Sequence, residues 1–294
     1  MNPAVSRQIR DSVQKMFRFT DTLSLYQDFY HRIGEDDLLR FIRKNTFEFG
    51  DVYPFIYVKM YFEGAEQDYK SIQHVLVDEM QDYTPIQYAV LAKLFSCNMT
   101  ILGDSHQSVN PYSSSSLTKI QPYFADCQGM ELCRSYRSTI EISGFTQKIL
   151  ENKKLIPIER HGDTPTITVC RTPKEQLAEI QHLIEEFRQS EYATLGVICK
   201  SQQQARLLFA QLHGVYDTMV LLDFGSSEFQ EGIVVTSVHM AKGLEFDQVI
   251  VPEVSDDLFK TQLDRSLLYI ACTRAMHKLD LTCCGEKTKF LHSC

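Results

Sequence analysis

From residue 74 onward, short apolar runs alternate with amphipathic helical stretches, and this restricts the chain to parallel sheets built from strand-helix-strand units. Segments 74–78, 99–102, 130–133, 166–171, 195–200, 219–222, 233–238, 248–252 and 278–283 read as strands. Segments 85–95, 139–152, 173–189, 202–213 and 262–276 read as the intervening helices. Thr84-Pro85 opens the first of these helices, because proline at the first helical position sacrifices no hydrogen bond. The Ser-rich segment 110–116, broken by Pro111, is predicted to be a loop.

The first 70 residues follow a different rule. Val5, Ile9, Val13 and Phe17 recur at a spacing of four, and Leu25, Phe29 and Ile33 do so ahead of a stop at Gly34. A third helical run over 52–63 ends at Gly64, and no strand alternation is visible. A boundary near Gly129 divides the chain into residues 1–128 and 129–294.

The most informative chemistry follows the apolar run Val75-Leu76-Val77. Asp78 and Glu79 stand where a buried strand would emerge at a nucleotide site. An aspartate at such a strand tip can hold Mg²⁺ through water, and the next glutamate can polarise the water that attacks a γ-phosphate. The phosphate cradle that normally accompanies them is a Gly-rich turn followed by Gly-Lys-Ser/Thr. None of the 13 glycines is followed by lysine. The expectation is therefore much of an ATP motor without its P-loop.

Composition sets the remaining bounds. At 294 residues with 44% hydrophobic and 23% charged residues, the chain has room for two domains with ordinary cores. No apolar stretch reaches the ~20 residues needed to span a bilayer, and the N-terminus lacks a secretory signal pattern, so the cytoplasm is the expected location. The nine cysteines are scattered without a Cys-x-x-Cys pair, which predicts reduced, mostly buried thiols rather than disulfides or zinc. A net charge of −8 argues against a broad basic face for nucleic acid but leaves room for a local cationic groove. A separate nuclease-like carboxylate cluster is absent.

Five blocks in order, Val77-Asp78-Glu79-Met80-Gln81-Asp82, Leu102-Gly103-Asp104-Ser105-His106-Gln107, Ser135-Tyr136-Arg137-Ser138-Thr139, Thr236 to Phe246, and Tyr269-Ile270-Ala271-Cys272-Thr273-Arg274-Ala275, resemble superfamily 1 helicases of the UvrD/Rep type. Tyr83-Thr84-Pro85-Ile86-Gln87, Arg134-Ser135-Tyr136-Arg137-Ser138-Thr139 and Ala271-Cys272-Thr273-Arg274-Ala275-Met276-His277 are most similar to the HelD-like branch, which is associated with recycling RNA polymerase. The resemblance implies an α/β protein with P-loop NTPase (RecA-like) parallel sheets, an incomplete first RecA-like domain and a complete second one. It implies ATP and Mg²⁺ as ligands, with Asp78 on the metal and Glu79 as catalytic base. Gln81 and Gln107 are then γ-phosphate sensors, and Arg137 and Arg274 are arginine fingers, a role suited to an always-charged planar guanidinium. Tyr136 corresponds to the adenine-stacking position, Gly243 lies in the nucleotide-binding run, and Glu245 accepts a hydrogen bond from the ribose. Thr236 and His239 match positions that touch the nucleic-acid backbone.

Departures from the family pattern qualify this reading. Where relatives carry an aromatic that stacks on a DNA base, this chain offers only Tyr112, and it has no tryptophan. The interval between Arg137 and Thr236 accommodates one domain core but not the inserted arm of DNA-unwinding relatives. The expected partners are ATP, single-stranded DNA or RNA polymerase, and an upstream segment that supplies the P-loop, with no membrane. A truncated product, a fragment or half of a split enzyme would each account for the missing cradle, and such a chain should be inactive alone. The rival expectation is a non-catalytic binding module that docks on RNA polymerase or a partner motor.

Overall fold

The computed structural model describes residues 7, 12, 18–19, 21–43, 46–65, 68–105, 107–108, 116–124, 126–225 and 231–292. Two compact units are present, Met1–Ser105 with Tyr112–Gly129 and His106–Pro111 with Met130–Cys294. The expected helical positions Val5, Ile9, Val13 and Phe17 lie outside the described residues, as do Tyr112 and most of the 110–116 loop.

In the first unit, helix α1 (Thr22–Ile33) begins where the Asp21 carboxylate accepts the Ser24 N–H and ends at Gly34 with φ of 74°. Helix α2 (Phe49–Phe62) is locked to it by a buried carboxylate, since the hydroxyls of Tyr26 and Tyr30 each donate to Asp51 Oδ1 at 2.8 Å. The all-helical expectation for this region needs correction. Phe41–Arg43 pairs antiparallel with Thr46–Phe47. Phe41, Phe47 and Phe55 hold the ribbon, with ring centroids 5.2 and 4.7 Å apart. Strands this short owe their pairing to cross-strand and tertiary aromatic contacts and leave no alternation to read. Strand β1 (His74–Val77) then pairs in parallel with β2 (Asn98–Ile101) across the crossover helix α3 (Pro85–Leu94), whose start is fixed by a Thr84–Gln87 capping box.

The second unit contains helix α4 (Ile140–Ile149), strand β3 (Thr166–Cys170), helix α5 (Pro173–Gln189), strand β4 (Thr194–Cys199), helix α6 (Gln202–Leu212), strands β5 (Val220–Leu221), β6 (Gly232–Ser237) and β7 (Phe246–Val251), helix α7 (Gln262–Cys272) and strand β8 (Ala275–Cys284). All six strands are parallel, in the order β3-β8-β7-β4-β6-β5. Both faces are covered. Along β7, Val249 and Val251 join the core that includes α4 and α7, while Ile250 joins the core that includes α5 and α6. Each such fully buried aliphatic side chain contributes about 1.5–3 kcal/mol of transfer free energy.

The alternation of strands and helices matches the α/β expectation, with two local exceptions. Segment 130–133 is not a strand, and Met130 and Leu132 are each 87% exposed. Pairing begins one residue later, where Arg134–Ser135 meets Ile156–Pro157. The last helix stops at Cys272 rather than 276, because the backbone of Arg274 is already drawn into the sheet, its carbonyl accepting the Phe246 N–H at 3.0 Å. Among the described residues the cysteines are free thiols. Cys170, Cys199, Cys272 and Cys283 are buried, and Cys97, Cys127, Cys133 and Cys284 are partly exposed. No described helix is long and apolar enough to cross a membrane.

Candidate functional site

In the first unit the chain leaves β1 at Val77 and turns sharply. Asp78 is exposed. Its Oδ1 accepts the Glu79 N–H at 2.8 Å, and its Oδ2 has no partner among the described residues. Glu79 adopts a left-handed backbone, φ 54° and ψ 48°, which costs a non-glycine residue roughly 1–2 kcal/mol. Packing beneath the turn sustains this conformation. Gln81 is completely buried, donates its side-chain amide to the Glu79 carboxylate, and accepts the Asp104 N–H at 3.0 Å. Met80 N–H donates to Leu102 O at 2.8 Å, and the buried Tyr88 hydroxyl donates to Met80 O at 2.7 Å. Burial pushes the Tyr88 phenol above its ordinary range, so it remains a donor.

Gly103 completes this arrangement. A Cβ on it would lie 2.5 Å from the Met80 backbone nitrogen, so only glycine lets the two segments approach. Thus Asp78, Glu79, Gln81, Gly103 and Asp104 are brought together, and Gln81 acts as a strut inside the turn rather than as an exposed group. Sequence reasoning assigned no role to Gly103 or Tyr88. The glycine directly after the apolar run 99–102 was the available signal.

The donor set suits a divalent cation held mainly by water and substrate oxygens. Among the described residues no cluster of three or more His, Cys, Asp or Glu side chains could cage a metal. Mg²⁺ characteristically keeps several waters and takes one or two carboxylates, and the exposed Asp78 carboxylate with its unpartnered Oδ2 is of the kind that could serve as one such ligand.

The second unit gathers a different set. Strand β6 ends at Ser237, a short helix Val238–Ala241 follows, and Gly243, with φ of 83°, turns the chain into β7. Glu245 on this turn accepts the Arg137 Nε–H at 2.5 Å, and both side chains are partly exposed, 33% for Arg137 and 41% for Glu245. Neighbouring Tyr136 presents an exposed ring. Arg274 is the opposite case. It is buried, and its three side-chain nitrogens are all engaged. Nε donates to Ile270 O at 3.2 Å and Nη1 to Leu244 O at 3.4 Å, while Nη2 donates to Gln107 Oε1 at 2.6 Å and Thr273 Oγ1 at 3.3 Å.

The nucleic-acid expectations divide. Thr236 is fully buried and its hydroxyl donates to Leu222 O at 3.0 Å, so a backbone contact from that hydroxyl is not available on this surface. His239 is exposed. Elsewhere in this unit, Lys200 at the end of β4 pairs with Asp264 Oδ1 at 2.5 Å. Burial alone would raise the Asp264 pKa, but the Lys200 ammonium and the amides of Lys260 and Thr261 hold its carboxyl down at about 2.

Residues 10–127 match the sequence model of the UvrD/REP helicase N-terminal domain, and residues 232–282 match that of the UvrD-like helicase C-terminal domain. Together the matches span more than half of the chain. The chain belongs to the UvrD-like helicase family. It is 36% identical over 148 residues to DNA helicase II of Escherichia coli, covering 46% of this chain and 21% of that protein. It is 23% identical over 240 residues to DNA helicase IV of the same organism, covering 70% and 33%. The chain therefore spans about a third or less of the length of these curated relatives. Among solved structures, the C-terminal domain of a possible DNA helicase from Lactobacillus plantarum WCFS1 aligns over 54% of this chain and 92% of its own, with 29% identity and a TM-score of 0.47.

Proposed function

We propose that this chain is part of a superfamily 1 ATP-dependent motor that acts on nucleic acid, or on RNA polymerase bound to it, and that it depends on a further segment for its P-loop. The observation that carries this reading is the turn after β1. An exposed Asp78 with an outward oxygen is followed at once by a left-handed Glu79 whose carboxylate is set by a buried glutamine.

In the proposed chemistry Asp78 orients the divalent cation through its outward oxygen, and Glu79 accepts the proton of the attacking water. When bound, Mg²⁺ offsets charge developing on the phosphate oxygens. Arg137 grips phosphate with its two Nη groups, Tyr136 stacks on the base, and Glu245 accepts from the ribose. Arg274 contributes through Leu244 and Gln107, because it can reach a phosphate only by giving up existing hydrogen bonds. His239 is the nucleic-acid contact retained from the Thr236–His239 pair.

Steady-state ATP hydrolysis with Mg²⁺, alone and with single-stranded DNA, tests the reading. Little turnover by the chain alone is expected, since no glycine precedes a lysine. Restoration by the P-loop-bearing segment of a relative, lost again in Glu79→Gln, would support the proposal. Turnover by the unsupplemented chain would show that the cradle lies within these residues. The net charge of −8 favours a second reading, a binding module for the basic channels of RNA polymerase. Salt-sensitive polymerase binding without nucleotide, unaffected by Glu79→Gln, would select it.

A further inference from the structure

The two residues proposed to meet opposite ends of the nucleotide, Arg137 on phosphate and Glu245 on ribose, are bonded to each other in this structure. We infer that Glu245 is a specificity-determining residue that makes phosphate capture by Arg137 conditional on a ribose, by exchange of one hydrogen-bond partner for another. This rests on the reading of Arg137 as a phosphate ligand given above.

The geometry supports an exchange rather than a permanent pair. Arg137 is joined to Glu245 through Nε alone, at 2.5 Å, while Nη1 and Nη2 have no partner among the described residues. The pair is partly solvent-exposed, so its strength falls in the range of about 1 kcal/mol or less typical of surface ion pairs, weak enough for a ligand to break. Its position is nevertheless defined. Glu245 follows Leu244, whose carbonyl accepts from the buried Arg274, and precedes Phe246, which enters the sheet and is completely buried. The carboxylate is therefore presented from a braced turn, whereas Arg137 lies beyond a two-residue strand.

A bare polyphosphate drawing Arg137 away must leave Glu245 without its partner and still near added negative charge. A ribonucleotide removes that penalty, because a ribose hydroxyl donates to the vacated carboxylate while its phosphates take the guanidinium. One carboxylate thus both restrains the cation and reads the sugar, favouring ATP over phosphate chains that lack a nucleoside.

The test is calorimetric binding of ATP and of inorganic tripolyphosphate to the full chain at low salt, for wild type, Glu245→Gln, Arg137→Gln and the double variant. Glu245→Gln is expected to tighten tripolyphosphate by about fivefold, the upper end for release of such a pair. It should leave ATP equal or weaker, so that the preference for ATP collapses. The gain should vanish when Arg137→Gln is added, because a latch acts through its partner, whereas simple loss of negative charge would help in either background. Tripolyphosphate binding in Glu245→Gln no tighter than in wild type, or a gain that persists undiminished in the double variant, overturns the exchange. If Arg137→Gln alone leaves both ligands unchanged, the assignment of Arg137 to phosphate has failed, and the inference falls with it.

Discussion

Ile250 in the six-stranded sheet is completely buried, whereas Leu76 in the two-stranded sheet is 64% exposed, although both lie in parallel strands of similar apolar sequence. A parallel strand is stable in water when neighbours flank it and helices cover both faces. The larger sheet has both. Among the described residues the smaller pairs only β1 with β2, and the Leu102 side chain just beyond β2 is also half-exposed. Apolar composition sets what a strand can bury, and the number of flanking elements sets what it does bury.

The two sheets share one device. Two residues past a strand end, Glu79 after Val77 and Glu253 after Val251 both take the left-handed conformation, with φ of 54° and 56°. Each carboxylate accepts from a glutamine amide, Gln81 in the first case and Gln204, at 2.9 Å, in the second. What separates them is the residue between strand and glutamate. Asp78 supplies an outward carboxylate oxygen, while Pro252 supplies none. The strained turn thus recurs at two strand ends in this chain, and only one of the two has a carboxylate directly before it.

Six substitutions can break or sharpen this comparison. Ile250→Ala should cost about 3–4 kcal/mol in urea denaturation, against less than about 0.5 kcal/mol for Leu76→Ala. Equal costs would mean that Leu76 is covered in solution. Gly103→Ala should cost about 3 kcal/mol, the upper end for overpacking, because the added carbon meets the backbone of Met80 rather than a flexible side-chain tip. A neutral result would show that the two acidic segments separate without penalty.

Asp264→Asn should cost on the order of 2 kcal/mol at neutral pH, with a marked pH dependence. The folded pKa of about 2 lies below the ordinary 3.8, so the stabilisation is full above 3.8 and is lost as pH falls towards 2. Wild type and variant should therefore converge in acid denaturation near the lower value, and parallel curves would contradict the Lys200 pairing. The smallest effect is expected at the strained turns. Glu253→Gly should stabilise by about 0.5 kcal/mol through relief of strain, and Glu79→Gly by less, because the buried Gln81 amide loses an acceptor where the part-exposed Gln204 can turn to water. Equal gains in chemical denaturation would show that the Gln81 bond contributes nothing.

The sequence by itself determined the alternation of strands and helices, because periods of two and 3.6 residues and the Gly34 and Thr84-Pro85 signals are local properties of the chain. It also placed the acidic pair directly after a strand. The Phe41–Arg43 ribbon stayed hidden because its pairing depends on Phe55, a helix residue further along the chain. The 130–133 run was misread because apolar residues signal a strand only where a neighbour is available to pair. For the candidate site, the resemblance to UvrD/Rep-type helicases named Gln81, Arg137, Glu245 and Arg274 without distinguishing their environments. Tertiary structure alone decided that Gln81 is a buried strut, that Arg274 is fully engaged while Arg137 is bonded through Nε alone among the described residues, and that Arg137 meets Glu245 across 108 positions of sequence. Burial and hydrogen-bond partnership are set by segments distant in the chain, and only folding brings those segments within bonding distance.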